Sequence, residues 1–180
     1  MGTAAREGAI IREERMEVSL NGTLDQVYSE CRRQLFTCAL AITRCPDMAE
    51  DAIQEAFYRL FRLNCRPQNV KAYVFRAVRN AAIDQVRKNS APVNSIPEFA
   101  VDFIFDPRRG PADAAMDKEF QRRVAETLMG LAEDERETIV QHLYGNLTFR
   151  EIAEVREAPL GTVTSWYQRG LEKLRARLEG

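Results

Sequence analysis

The 180-residue chain holds a single histidine, His142, and a single tryptophan, Trp166. One histidine leaves little for a zinc-type centre, which draws on several His and Cys ligands, so His142 is read as a structural or surface residue. No apolar run approaches the ~20 residues of a membrane span. The first eighteen residues carry Arg6, Glu7, Arg12, Glu13, Glu14, Arg15 and Glu17 in place of the apolar centre of a secretory signal. The expectation is a cytoplasmic chain with no membrane insertion. Net charge is nearly absent too, at −1 from 26 basic and 27 acidic residues, so nothing in the total advertises a polyanionic partner. What is present, 45% hydrophobic and 29% charged residues, suits one ordinary domain or two small helical ones.

The four cysteines, Cys31, Cys38, Cys45 and Cys65, invite a metal or disulfide reading. The first three recur every seven residues in a predicted helix, on one face but roughly 10 Å apart at the helical rise, too far for one ion to bridge. Buried cysteine acting as a small hydrophobe is the preferred reading; a redox or metal role through Cys45 with Cys65 is the alternative.

Apolar spacing of three and four residues predicts a helix through Leu24, Val27, Tyr28, Cys31, Leu35, Cys38, Ala39 and Ile42, ending near Cys45-Pro46. Asp47, with Glu50 as the reciprocal residue, is expected to cap a second helix. That helix buries Met48, Ala52, Ile53, Ala56, Phe57, Leu60 and Phe61, and leaves Asp51, Gln54, Glu55 and Tyr58 on a polar stripe. After a loop from Asn64 to Asn69, a third helix turns Val70, Tyr73, Val74, Ala77, Val78 and Ala81 inward. Four of the seven prolines fall between residues 90 and 115, which marks a linker whose apolar centre (Ile96, Phe99, Val101, Phe103, Ile104, Phe105) calls for a cover. A second helical unit follows, through Phe120, Val124, Leu128, Leu131, Ile139, Leu143 and Tyr144, with Gly145 as its stop.

The small total charge conceals a segregation. From Leu24 to Tyr58 three basic residues face six acidic ones, a net of −3; from Arg59 to Lys88 eight basic residues face Asp84 alone, a net of +7. A dense basic block is an electrostatic footprint for a polyanion, and neighbouring surfaces of opposite sign imply two different partners. The last fifth of the chain reads as a helix-turn-helix. Thr148 and Glu151 form a capping box, Ile152 and Ala153 supply an apolar inner face, and Pro159 redirects the chain before a helix starting near Thr162. In the DNA-binding version of this motif the second helix enters the major groove. Thr162, Thr164, Ser165, Gln168 and Arg169 are available to bases or phosphates; Val163, Tyr167, Leu171, Leu174 and Leu178 form the inner stripe, and Trp166 suits either side.

This order resembles the extracytoplasmic-function (ECF) group of RNA polymerase sigma factors, in the sigma-70 family, over about Leu24 to Leu178. The residues that carry the resemblance are the run from Asp47 to Phe57, similar to the group's polymerase-binding helix, the run from Ala72 to Asn80, similar to its melting and minus-ten-reading helix, and Leu160-Gly161-Thr162-Val163 at the start of its minus-thirty-five helix. The resemblance implies an all-α fold of two small helical domains: an unassigned extension (1–20), a region 2-like domain (21–89), a Pro-rich linker (90–115) and a region 4-like helix-turn-helix domain (116–180). It implies a sigma factor with no catalytic residues, metal or cofactor.

The implied partners are core RNA polymerase, through the clamp helices of the largest subunit and the flap of the second-largest, promoter DNA, and an anti-sigma protein. Asp51, Gln54, Glu55 and Tyr58 would bind polymerase, and Tyr73, Phe75, Arg76, Arg79, Asn80, Arg87 and Lys88 would melt and read the minus-ten element. Thr148, Thr162, Thr164, Ser165, Gln168 and Arg169 would read the minus-thirty-five element. The Asn64 to Asn69 loop would receive a flipped base, and the acidic linker would mimic RNA. The chain departs from the group at Tyr73 and Phe75, where Trp and Tyr are frequent, at Thr164 and Trp166, where basic residues are common, and at Glu157, where Gly is frequent. Two alternatives remain. One is a helix-turn-helix regulator acting without polymerase, as a dimer on a palindromic operator. The other is an enzyme built on Asp47, Glu50, Asp51 and Glu55.

Overall fold

The computed structural model describes residues 3–62, 67–89 and 118–179, with side chains described from residue 21 onward. Among the described residues there are seven helices and no strand: α1 (Thr3–Thr43), α2 (Pro46–Leu60), α3 (Val70–Lys88), α4 (Lys118–Met129), α5 (Glu133–Leu143), α6 (Phe149–Arg156) and α7 (Leu160–Glu179). The all-α expectation holds. The expected linker, Cys65, and the start of the Asn64 to Asn69 loop lie outside the described residues.

Helices α1, α2 and α3 pack on one another as a bundle. Its centre is Leu35, Ala39 and Leu40 of α1, Ala52, Ile53 and Ala56 of α2, and Val74, Val78 and Ala82 of α3, all essentially solvent-free. Alanine at these positions lets the helix axes approach closely, and larger rings fill the periphery. The Tyr28 and Phe57 rings meet edge to face at 5.0 Å, a geometry contributing about 0.5–1.5 kcal/mol beyond area burial.

Local signals differ from expectation at three places. Helix α2 is not capped by Asp47: its N-cap is Cys45, with no side-chain cap, and Pro46 sits in the first turn. Proline at that position has no amide hydrogen to leave unpaired and its φ is already helical, which starts the helix two residues earlier and leaves Asp47 to favour the helix dipole. The buried face of α3 is centred on Ala72, Val74, Phe75, Val78, Ala81 and Ala82, so Val70, Tyr73 and Ala77 are only partly buried. Phe61 is 41% exposed and does not join the core, because α2 has ended at Leu60.

In the C-terminal half α5 is the central helix, packed against α1, α6 and α7. Every residue from Glu135 to Gln141 is buried, and its three charged side chains tolerate that burial because the two carboxylates meet cations and Arg136 meets backbone carbonyls. Lys173 Nζ lies 2.7 Å and 2.8 Å from the two Glu135 oxygens. Arg136 donates to the carbonyls of Ala41 (2.8 Å) and Leu131 (3.0 Å), supplying a donor to the C-terminal end of α1. Burial, together with the nearby Arg44 cation, lowers the Arg136 pKa. Past Leu143, the Gly145 amide reaches the Val140 carbonyl at 2.9 Å, and a Cβ on Gly145 would lie 2.5 Å from the Gln141 carbonyl oxygen. Only glycine permits that approach, and Asn146 then takes the positive φ of 52° that turns the chain.

His142 is structural. Its Nδ1–H donates to the Leu147 carbonyl at 2.8 Å, and its ring stacks on Phe149 at 4.4 Å. Cys31, Cys38 and Cys45 are free thiols. Burial pushes the Cys38 thiol strongly up and the Cys31 thiol up, which favours the protonated thiol over the reactive thiolate at both.

Candidate polymerase and nucleic-acid interfaces

Helix α2 exposes Asp51, Gln54 and Tyr58 to solvent and leaves Glu55 partly buried. They occupy one face because positions three, four and seven apart align on a helix. Glu55 pairs with Arg59 at 2.7 Å, and the Tyr58 hydroxyl accepts from Arg62 at 2.7 Å. Exposed pairs of this kind contribute roughly 0–1 kcal/mol, so both can be exchanged for a partner's groups. Beside the stripe runs a groove floored by Ile53, Phe57 and Phe61 and edged by Asp25, Tyr28, Gln54 and Tyr58. The spacing of Phe57 and Phe61 was the available signal for this apolar border, and sequence reasoning had placed Phe61 in the core.

The residues expected to meet the minus-ten element are brought onto α3 but not onto one surface. Asn80, Arg87 and Lys88 are exposed. Tyr73 is half-buried, with the Arg76 guanidinium 5.5 Å from its ring centre. Phe75 is 2% exposed. Its expected role as a stacking ring is corrected accordingly: both faces lie in the bundle core, because the inward stripe of α3 runs through position 75, and no base can reach them. Arg76 and Arg79 face the C-terminal domain. Arg76 meets Glu157 at 2.9 Å, and Arg79 engages Glu137 through Nε at 2.7 Å and a terminal nitrogen at 3.4 Å.

The helix-turn-helix is α6 and α7. Thr148 accepts from the Glu151 amide while the Glu151 carboxylate receives the Thr148 amide, completing the capping box. Burial alone would raise the Glu151 pKa. Hydrogen bonds from the Thr148 amide and hydroxyl, with Lys71 nearby, outweigh it and hold the carboxyl below its ordinary value. The Thr148 hydroxyl is therefore engaged in capping. At the turn Glu157 adopts left-handed backbone, φ 51° and ψ 42°, where glycine is the usual occupant.

Helix α7 starts at Leu160 rather than near Thr162. Thr164 and Ser165 return their hydroxyls to the Leu160 and Gly161 carbonyls at 2.6 Å and 2.8 Å, and Gln168 and Arg169 are exposed beyond them. Trp166 is resolved to the inner side, with the Arg156 guanidinium 5.0 Å from its ring centre. Tyr167 packs against His142 and Phe149.

Sequence reasoning missed the groups that join the halves. Glu137 is 1% exposed and lies 2.7 Å from both Arg79 and Arg156, while Arg156 also meets Asp134. Asn69 donates to Glu154 at 3.3 Å, and Lys71 to the Asn146 carbonyl at 3.0 Å.

Residues 27–91 match the family Sigma-70 region 2, and residues 121–174 match Sigma-70, region 4. The chain is 25% identical over 170 residues to the ECF RNA polymerase sigma factor RpoE of Cereibacter sphaeroides, covering 93% of this chain and 91% of that protein. It is 27% identical over 170 residues to the ECF RNA polymerase sigma factor SigW of Bacillus subtilis, covering 86% and 83%. In fold it is similar to the sigma factor RpoE of Bartonella quintana, solved in complex with the anti-sigma factor NepR. That likeness has a TM-score of 0.68 at 20% identity and covers 87% of this chain and 97% of that one. With the region 2 and region 4 matches falling in order along the chain and its relatives drawn from the same group, the chain belongs to the ECF group of the sigma-70 family of RNA polymerase sigma factors.

Proposed function

We propose that this chain binds core RNA polymerase, gives it promoter specificity through two DNA-reading domains, and promotes promoter opening without a catalytic step of its own. The observation that carries the reading is the charge split inside one bundle. The stripe Asp51, Gln54, Glu55 and Tyr58 lies on α2 with an apolar groove beside it, while exposed Asn80, Arg87 and Lys88 lie on α3. Carboxylates beside an apolar strip fix the register of a protein partner, and we assign that face to the polymerase clamp helices. Guanidinium and ammonium groups beside a half-buried tyrosine suit a single strand, with phosphates contacted along its length and a base on the ring. The minus-ten set becomes Tyr73, Arg76, Arg79, Asn80, Arg87 and Lys88, and the minus-thirty-five set is Thr162, Thr164, Ser165, Gln168 and Arg169.

The flap of the second-largest subunit is assigned to the C-terminal domain. An anti-sigma protein is a further proposed partner, in line with the NepR complex of the Bartonella RpoE. A helix-turn-helix regulator working without polymerase accounts for the C-terminal domain alone, whereas the region 2 match, residues 27–91, takes in α2, α3 and the C-terminal part of α1.

The test is reconstitution with purified core polymerase and a library of promoter fragments, read as start-site-specific transcripts. Asp51→Lys with Glu55→Lys is expected to abolish polymerase association with the helical content unchanged. Arg169→Ala is expected to weaken upstream duplex contact and leave the polymerase complex intact. DNA protection by the chain alone, with no initiation at any fragment, would refute the proposal.

A further inference from the structure

Arg169 is the one charged member of the minus-thirty-five set, and a buried carboxylate stands behind it. The Glu135 side chain of α5 is 6% exposed, whereas Arg169 and Lys173 of α7 are half-exposed. These two cations lie four residues apart, about one helical turn, so they share a face of α7. Glu135 reaches the space between them because α5 and α7 approach closely at Gly170, which is buried. A Cβ at Gly170 would lie 2.6 Å from Ile139 Cδ1 and 3.2 Å from Glu135 Cβ. The missing side chain is what brings the carboxylate this near.

The two cations are held differently. Lys173 Nζ hydrogen-bonds both Glu135 oxygens, at 2.7 Å and 2.8 Å. Arg169 Nε lies 3.8 Å from Glu135 Oε1, close enough for Coulomb attraction and beyond hydrogen-bond length. Lys173 therefore occupies the acceptors, while the negative charge draws the Arg169 guanidinium toward α5 without taking up its N–H donors. With Nε on the carboxylate side, the two terminal nitrogens remain as a fork, the geometry that pairs with O6 and N7 of a guanine. Thr164 and Ser165 already spend their hydroxyl hydrogens on backbone carbonyls, so the arginine carries a large share of the discrimination available to α7.

We propose that Glu135 is a positioning residue for minus-thirty-five recognition: its charge orients the Arg169 guanidinium toward one base pair of the upstream element, and Lys173 keeps the carboxylate from capturing it. The inference rests on the assignment of α7 to that element. An untethered arginine meets whichever phosphate is near, which adds affinity without sequence information. One drawn to a fixed charge at Nε meets a single base pair, which adds discrimination.

The test uses the full chain bound to core polymerase and a library of duplex promoter fragments randomised across the upstream element. Sequencing of start-site-specific transcripts gives the base preference at each position. Arg169→Ala, an exposed change, marks the base pair that the arginine reads. Glu135→Gln keeps the shape and an acceptor for Lys173 while removing the charge. It is expected to reduce the preference at that same base pair about fivefold or more, with preferences elsewhere within about twofold of the parent. In the Arg169→Ala background it is expected to change nothing further there. Lys173→Met, at a half-exposed position, frees both Glu135 oxygens to take the Arg169 N–H groups, and the same base pair is expected to lose its preference. That variant decides the matter independently of Glu135→Gln.

A preference at the Arg169 base pair left unchanged by either variant overturns the proposal. So does a uniform loss at every position, which is the mark of a weakened fold or, for Lys173, of a lost phosphate contact. A parent with no upstream base preference, or with one that Arg169→Ala leaves untouched, refutes the assignment of α7 to the minus-thirty-five element, and the inference with it.

Discussion

The buried triad around Glu137 yields the sharpest energetic expectation. Its carboxylate is 1% exposed, and it compensates Arg156, whose side chain is 3% exposed, and Arg79, which is 18% exposed. Glu137→Gln keeps the shape and removes the charge. Arg156 then retains the half-exposed Asp134 as its carboxylate partner, beside the Trp166 ring, and Arg79 loses its bidentate acceptor. Burial already lowers the Arg156 pKa, with Glu137 the largest opposing influence, so the neutral variant leaves that burial largely uncompensated. Breaking a buried pair from one side costs about 3–5 kcal/mol.

Arg79→Met is the informative contrast. Glu137 keeps Arg156, and only the interdomain charged hydrogen bonds are lost, at about 1.5–3 kcal/mol. Urea unfolding followed by circular dichroism, chosen because guanidinium would screen the ion pairs, gives both values. The double variant gives the coupling, expected at roughly 0.5–3 kcal/mol for groups in direct contact. A Glu137→Gln cost below about 1 kcal/mol, or one equal to that of Arg79→Met, would refute the reasoning that Glu137 serves two cations at once.

Two further expectations concern the helix-turn-helix and its approach. Because the folded-state pKa of Glu151 lies below its ordinary value, its contribution is fully present above the unfolded carboxylate pKa and is lost as pH falls through the folded one. Stability measured across the acid range should therefore fall more steeply in the parent than in Glu151→Gln, and parallel curves would contradict this. Gly145→Ala places a methyl 2.5 Å from the Gln141 carbonyl, a backbone atom that cannot swing aside, and a loss of about 1–3 kcal/mol is expected in thermal or urea unfolding. A neutral result would show that the turn re-forms without that close approach.

Much of the local structure was legible in the order of residues. The Thr148 and Glu151 capping box, the three-and-four apolar spacing of α1 to α3, and the polar stripe from Asp51 to Tyr58 all follow from rules that reach no further than one helical turn. Where two local rules competed, the reading slipped. Pro46 displaced Asp47 as the start of α2, and the α3 stripe ran through Phe75 rather than past it, since two rings at positions 73 and 75 cannot both face inward on a helix.

The candidate site was less legible. The run from Glu133 to Glu137, five charged residues in succession, carries no local signal of burial, yet Glu135, Arg136 and Glu137 are buried. Their partners lie 38, 95 and 58 residues away in the chain, at Lys173, Ala41 and Arg79. No periodicity encodes such pairings.

The residue order alone therefore determined short-range matters of helix and cap, the separation of acidic from basic residues along the chain, and the kinship with sigma factors, because each is written in side chains close together in sequence. Tertiary structure alone decided which of those charges meet solvent and which meet each other. The desolvation of a guanidinium or a carboxylate depends on what the distant half of the chain lays over it, and only the docked helices α3, α5 and α6 supply that neighbour.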